Sequence, residues 1–145
     1  MPVDVTTETV IRRPREVVAA YAGDPDNAPG WYANIESARW LTAPPLAVGS
    51  RVEFVARFLG RRLSYTYEVS ELLTGRRLVM RTADGPFPME TTYTWDDAGT
   101  TGTRMTLRNR GVPQGFPRLL APVMTLAVRR ANRADLARLK RLLEG

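Results

Sequence analysis

The chain has 145 residues, 43% of them hydrophobic and 25% charged, a balance that suits one globular domain with a real core. It contains no cysteine and no histidine, which excludes a disulfide framework, thiol chemistry, Ser-His-Asp and Cys-His catalysis, histidine-ligated haem and nearly every zinc site. The net charge of +6 attracts anionic partners, yet the cations, all Arg except Lys140, are spread through every segment.

Proton transfer is left to Asp, Glu, Tyr and Lys140. No apolar run approaches the roughly 18 to 20 residues of a membrane span. The start, Met1-Pro2-Val3-Asp4-Val5, lacks the basic and apolar regions of a signal peptide. A cytoplasmic location is therefore expected, with no metal and no cofactor.

Residues 3–11 are rich in β-branched side chains and predict a first strand. Pro14 stops it, and Arg15 to Ala22 reads as a short helix presenting Val17, Val18 and Tyr21 on one face, with Gly23 as its C-cap. Asp24-Pro25 starts a second short helix, broken at Pro29-Gly30, after which come Trp31 and Tyr32. Residues 35–42 predict a second strand, ended by Ala43-Pro44-Pro45.

Five alternating segments follow. In residues 51–59, Val52, Phe54, Ala56 and Phe58 oppose Arg51, Glu53 and Arg57. In 63–72, Leu63, Tyr65, Tyr67 and Val69 oppose Ser64, Thr66, Glu68 and Ser70. In 77–83, Leu78, Met80 and Thr82 oppose Arg77, Val79 and Arg81. In 87–96, Phe87, Met89, Thr91, Tyr93 and Trp95 oppose Glu90, Thr92 and Thr94. In 103–110, Thr103, Met105, Leu107 and Asn109 oppose Arg104, Thr106, Arg108 and Arg110. Period-two strands joined by short turns predict an antiparallel meander with one buried and one wet face.

Residues 111–117, with two Gly and two Pro, form a linker. From about Phe116 the period becomes helical. Leu119, Leu120, Val123, Met124, Ala127, Val128, Ala131, Ala134, Leu136, Leu139, Leu142 and Leu143 recur at three- and four-residue steps. Pro122 is either a kink or the true first turn. About 28 helical residues would span roughly 40 Å. Only this helix is long enough to cover the apolar face of the sheet, so the chain is expected to be α+β, a bent antiparallel sheet of about seven strands wrapped round a long C-terminal helix.

Four local patterns reinforce this order: Ile11-Arg12-Arg13-Pro14-Arg15-Glu16-Val17, the stretch from Asp24-Pro25 to Trp31, Val48-Gly49-Ser50-Arg51-Val52, and Gly102-Thr103-Arg104-Met105-Thr106. Together the chain resembles the START-related (SRPBCC) superfamily, in its polyketide cyclase/dehydrase and lipid-transport branch, over essentially its whole length. The resemblance implies a single helix-grip domain over residues 1–145, with a cavity for lipids, sterols, polyketides, quinones or other apolar molecules between sheet and helix. Fold alone does not select among these.

By strand parity the expected ligand contacts are Phe54, Phe58, Tyr65, Tyr67, Met80, Met89, Tyr93, Trp95, Met105 and Asn109, joined by Trp31 at the implied cavity mouth and Met124 on the helix. Tyr65, Tyr67, Tyr93 and Asn109 are the polar groups of the set, each needing a partner when buried. Trp31 and Tyr32 either pack against the helix or gate the cavity. Glu53, Glu68 and Glu90 should point to solvent beside Arg51, Arg57 and Arg81, and no carboxylate pair stands at a catalytic spacing. No catalytic residue is assigned.

Three functions stay open. The first is a non-enzymatic carrier or sensor of a small apolar molecule. The second is a cyclase or dehydratase, for which an inward acid or base would speak. The third is a co-chaperone-like or membrane-docked interaction module. The basic stretch 129–141 leaves room for weak contact with an anionic membrane, while its lack of aromatic residues argues against nucleic acid. The sequence does not determine the oligomeric state.

Overall fold

Nine residues of β-branched and polar alternation, Val3–Ile11, form β1, with Val3, Val5, Thr7 and Ile11 turned inward. The computed structural model describes residues 3–58, 60–85, 88–112 and 121–145, and the side chains of all of these except Phe58 and Ala121. Pro14 precedes α1 (Arg15–Ala22), a single 3₁₀ turn covers Pro25–Asn27, and α2 is one turn, Ala28–Trp31. The Asp24 carboxylate accepts the Asp26 N–H and so caps the 3₁₀ turn. Gly23 caps α1, its N–H donating to the Ala19 carbonyl at 2.9 Å, and the position suits glycine because a Cβ there would lie 2.8 Å from that oxygen and 3.4 Å from the Trp95 ring.

Six further strands follow: β2 (Ile35–Trp40), β3 (Arg51–Phe58), β4 (Arg61–Leu73), β5 (Arg77–Asp84), β6 (Met89–Ala98) and β7 (Gly102–Gly111). They make one seven-stranded antiparallel sheet in the order β1-β7-β6-β5-β4-β3-β2. The meander runs from β2 to β7, and β1 returns beside β7, Val3 opposite Gly111 and Ile11 opposite Thr103. Register shifts at Thr66/Tyr67 and Val69/Glu71 in the β4–β5 pair, and at Ile35/Ser37 in β2, increase local twist and bend the sheet into a curled half-barrel. The last helix, α3 (Ala121–Glu144), lies in its concave side. This is a helix-grip fold.

The strand parity read from the sequence holds through Val52, Phe54, Tyr65, Tyr67, Val69, Leu78, Met80, Tyr93, Trp95, Met105 and Leu107, all buried on the inner face. The outer face is largely a lattice of ion pairs: Arg51 Nε to Glu68 at 2.8 Å, Arg81 Nε to Glu90 at 2.7 Å and Arg108 Nη2 to Asp4 at 2.6 Å. Arg57 pairs with Glu36 on β2, while Glu53 takes Arg39. Val79 departs from expectation. It faces outward opposite Thr92, yet both are buried, so the outer face is not wet along its whole length.

The apolar stripe expected on the last helix needs correction. Val123 and Leu142 are half-exposed and Ala134 is exposed. The buried face instead runs through Met124, Asn132, Asp135, Leu136 and Leu139, so two polar residues stand where an all-apolar ridge was expected. The C-terminal half of α3 is tied down at two places. Lys140 Nζ donates to the Val10 carbonyl at 2.6 Å and to Glu144 at 2.6 Å, and Glu144 accepts the Arg12 backbone N–H at 2.8 Å. Arg138 donates to the Trp31 carbonyl at 2.9 Å, holding α2. The expected linker and the start of the helix near Phe116 lie in large part outside the described residues.

Candidate functional site: the cavity between sheet and helix

The inner face of the sheet and α3 do not close completely. A cavity of about 170 Å³ remains between them. Its sheet wall is built by alternate residues of neighbouring strands: Phe54 and Ala56 on β3, Tyr65 and Tyr67 on β4, Met80 on β5, Met89, Thr91 and Tyr93 on β6, Asn109 on β7 and Val3 on β1. The helix wall is Met124, Val128, Ala131, Asn132 and Asp135, which recur at three- and four-residue steps along one face. Tyr32, Asn34 and Ile35, just after α2, close one end, and the exposed side chains of Arg57 and Arg110 stand at the rim.

Aromatic rings brace the sheet wall. Phe54 meets Tyr67 edge-on at 5.6 Å between centroids, and Tyr93 meets Trp95 edge-on at 5.9 Å. Tyr32 packs on Trp31 at 4.1 Å, and Tyr93 lies 5.8 Å from the same indole.

The polar groups on this wall are few. The Tyr32 and Tyr93 hydroxyls are hydrogen-bonded to each other at 2.6 Å. Burial raises both phenols well above their ordinary range. The Tyr67 hydroxyl faces the Met89 sulfur at 3.9 Å and is pushed up to about 12, chiefly by burial. The Thr91 hydroxyl donates to Asn109 Oδ1 at 2.7 Å, so the oxygen of that amide is already taken.

Two residues of α3 complete the set. Asp135 is buried; its Oδ1 accepts the Ala33 N–H at 3.0 Å and lies 3.5 Å from Arg138 Nη1. Burial raises its pKa above the ordinary carboxylate value; the Ala33 N–H and the Arg138 charge oppose that shift. Asn132 is equally buried, and its Nδ2 has no hydrogen-bond partner among the described residues. A buried donor left unpaired costs on the order of 1–3 kcal/mol.

Of the residues expected from parity, Phe54, Tyr65, Tyr67, Met80, Met89, Tyr93, Asn109 and Met124 come together on the wall of this cavity. Three do not. Trp31 is fully buried, stacked on Tyr32 with its carbonyl held by Arg138, and does not reach the cavity wall. Trp95 is buried against the end of α1, and Met105 sits in the filled core. The side chain of Phe58 and the whole of Phe87 lie outside the described residues. Sequence reading missed Asn132 and Asp135, although their spacing was available: 128, 132, 135 and 139 continue one helical face. No cluster of three or more metal-ligating side chains occurs among the described residues, and no described helix is long and apolar enough to cross a membrane.

A curled sheet gripping a helix around an apolar cavity defines a class of ligand-binding domains. The chain belongs to the polyketide cyclase/dehydrase and lipid transport family, whose pattern it matches over residues 2–144. Solved structures share the fold. A protein from Thermus thermophilus superposes with a TM-score of 0.82 at 22% identity, over 95% of this chain and 94% of that one. A START superfamily protein from Mycobacterium smegmatis gives 0.83 at 13%, over 97% of each chain. The ZhuI aromatase/cyclase from Streptomyces sp. R1128 gives 0.82 at 17%, over 99% of this chain and 94% of that one. No curated protein matches the chain in sequence.

Proposed function

We propose that this domain binds a compact, largely apolar molecule between the sheet and α3, with Phe54, Tyr65, Tyr67, Met80, Met89, Tyr93, Asn109 and Met124 as contacts. The observation that carries this reading is the void itself, about 170 Å³ beside otherwise closely packed layers. Protein interiors pack to the density of organic crystals, and folding needs no gap of that size. An apolar cavity of roughly 150 Å³ accepts a benzene-sized guest. That volume matches guests of one or two rings most closely. The lipid transport in the family description supports an apolar guest.

A second reading rests on Asp135. A carboxyl group whose pKa is raised by burial keeps its proton to higher pH, which suits a general acid. On this reading the protein is a cyclase or dehydratase acting on a polyketide-like guest, and Asp135 gives its proton to an oxygen of that guest. The likeness to an aromatase/cyclase supports it.

One experiment addresses both. The delipidated protein is incubated with fatty acids, sterols, quinones, aromatic polyketides and single-ring aromatics, and its melting temperature is followed. Binding to the native state raises that temperature by mass action. A rise with the one- and two-ring compounds is expected, and no rise with any class contradicts the binding reading. Mass spectrometry of the same mixtures reports turnover, and recovery of every compound unchanged contradicts the second reading.

A further inference from the structure

We infer that Asn132 is the specificity residue of the cavity and selects guests that carry a carbonyl or comparable acceptor oxygen; this rests on the reading that the cavity holds a guest. Asn132 stands on α3 one turn from Val128 and one from Asp135, all three in the cavity wall. It is 5% exposed, and its Nδ2–H₂ group is buried with no partner among the described residues. Buried donors are almost always paired; Arg15 Nε, Trp31 Nε1 and Trp95 Nε1 are also unpaired among the described residues but lie off the cavity wall, whereas Asn132 belongs to it, which is where a bound molecule supplies the acceptor.

Neighbouring polar groups are already engaged. The Tyr32 and Tyr93 hydroxyls bond to each other, Asp135 Oδ1 holds the Ala33 N–H, and Asn109 Oδ1 holds Thr91. The buried Asn132 Nδ2–H₂ group lacks such an engagement among the described residues. A hydrocarbon guest leaves it unpaired, whereas a carbonyl guest satisfies it. A site built around such a donor rejects the analogue lacking the acceptor more strongly than an apolar wall discriminates by size. With about 170 Å³ to fill, the matching class is a one- or two-ring ketone, aldehyde, ester or quinone.

The test compares acetophenone with α-methylstyrene, which has the same shape but a CH₂ group in place of the carbonyl oxygen. Calorimetric titration gives the ratio of their affinities for the unaltered protein and for Asn132→Leu. The preference for acetophenone is expected to fall roughly three- to tenfold in the variant. In the unaltered ¹⁵N-labelled protein, acetophenone is expected to move the Asn132 side-chain amide protons downfield, beyond the ring-current shift that α-methylstyrene produces alone. An unchanged ratio, or amide protons moved no further downfield by acetophenone than by α-methylstyrene, overturns the inference. The second readout needs no variant and decides the matter should Asn132→Leu fail to fold. Binding of neither compound at millimolar concentration refutes the cavity reading itself, a result distinct from equal binding of both.

Discussion

A carboxylate and a carboxamide one helical turn apart, Asp135 and Asn132, give the cavity its polar end. The two differ in what the fold does for them. Asp135 is held by the Ala33 N–H and Arg138, yet burial outweighs both and raises its pKa above the ordinary value of 3.8. A carboxyl group with a raised folded-state pKa contributes stability that is fully present below the unfolded value and is lost as pH rises through the folded value. Asp135→Asn removes that titration while keeping an oxygen for the Ala33 N–H. The melting temperature of the variant, measured against pH, is therefore expected to gain on that of the native protein as pH climbs from about 4 and then to run parallel. A constant difference across the range contradicts the assignment.

Parity exposed the sheet residues of the wall to sequence reading because a strand repeats every two residues and each apolar position declares its face. Tyr65, Tyr67, Met80 and Tyr93 were legible for that reason. Asn132 and Asp135 were not, because a search for apolar residues at helical spacing skips the polar ones that share the face.

At the scale of elements, α3 serves both as a cavity wall and as a clamp. Its first half supplies Met124, Val128 and Ala131, and its last turns fasten it to the end of β1. Glu144 is the centre of the fastening. Its hydrogen bond from Lys140, then the Arg12 backbone N–H, lower its pKa to about 2. Here the sign is opposite to that of Asp135. A depressed carboxylate contributes stability above its unfolded pKa of about 4.3 and loses it as pH falls toward the folded value. Glu144→Gln is thus expected to unfold at lower temperature than the native protein at neutral pH, with the gap closing between about pH 4.3 and about 2. A gap that persists at the acid end of that range shows that the charge is not what matters.

The elements themselves were readable with little loss. Gly or Pro marked most of the described turns, and alternation marked β3 to β7, but Pro29-Gly30, expected to break the second short helix, lies inside α2. The exposed positions of α3 were less so. Val123 and Leu142 are apolar and stand at the expected spacing yet face outward, and nothing in residue type alone tells such a position from one that turns inward.

For the whole molecule, burial and charge are separated by the curvature of the sheet. The concave side holds the aromatic wall and α3, while the convex side carries paired Arg and Glu residues such as Arg81–Glu90 and Arg51–Glu68. Much of the high Arg content goes into these pairs, which explains how a chain with a net charge of +6 presents no single basic block along the sheet. The sequence showed that a sheet would wrap a helix. It did not show how far apart the two would stand, because that spacing depends on side-chain volumes summed across seven strands and on bulges invisible to periodicity. The gap is the point on which the functional account turns. Its most direct test is diffraction from crystals of the protein soaked in 4-bromoacetophenone, recorded at the bromine absorption edge. The expected result is one bromine peak inside the cavity, between Met80, Tyr93 and Met124. Side chains that meet across that space, with bromine found only on the surface, would contradict the account.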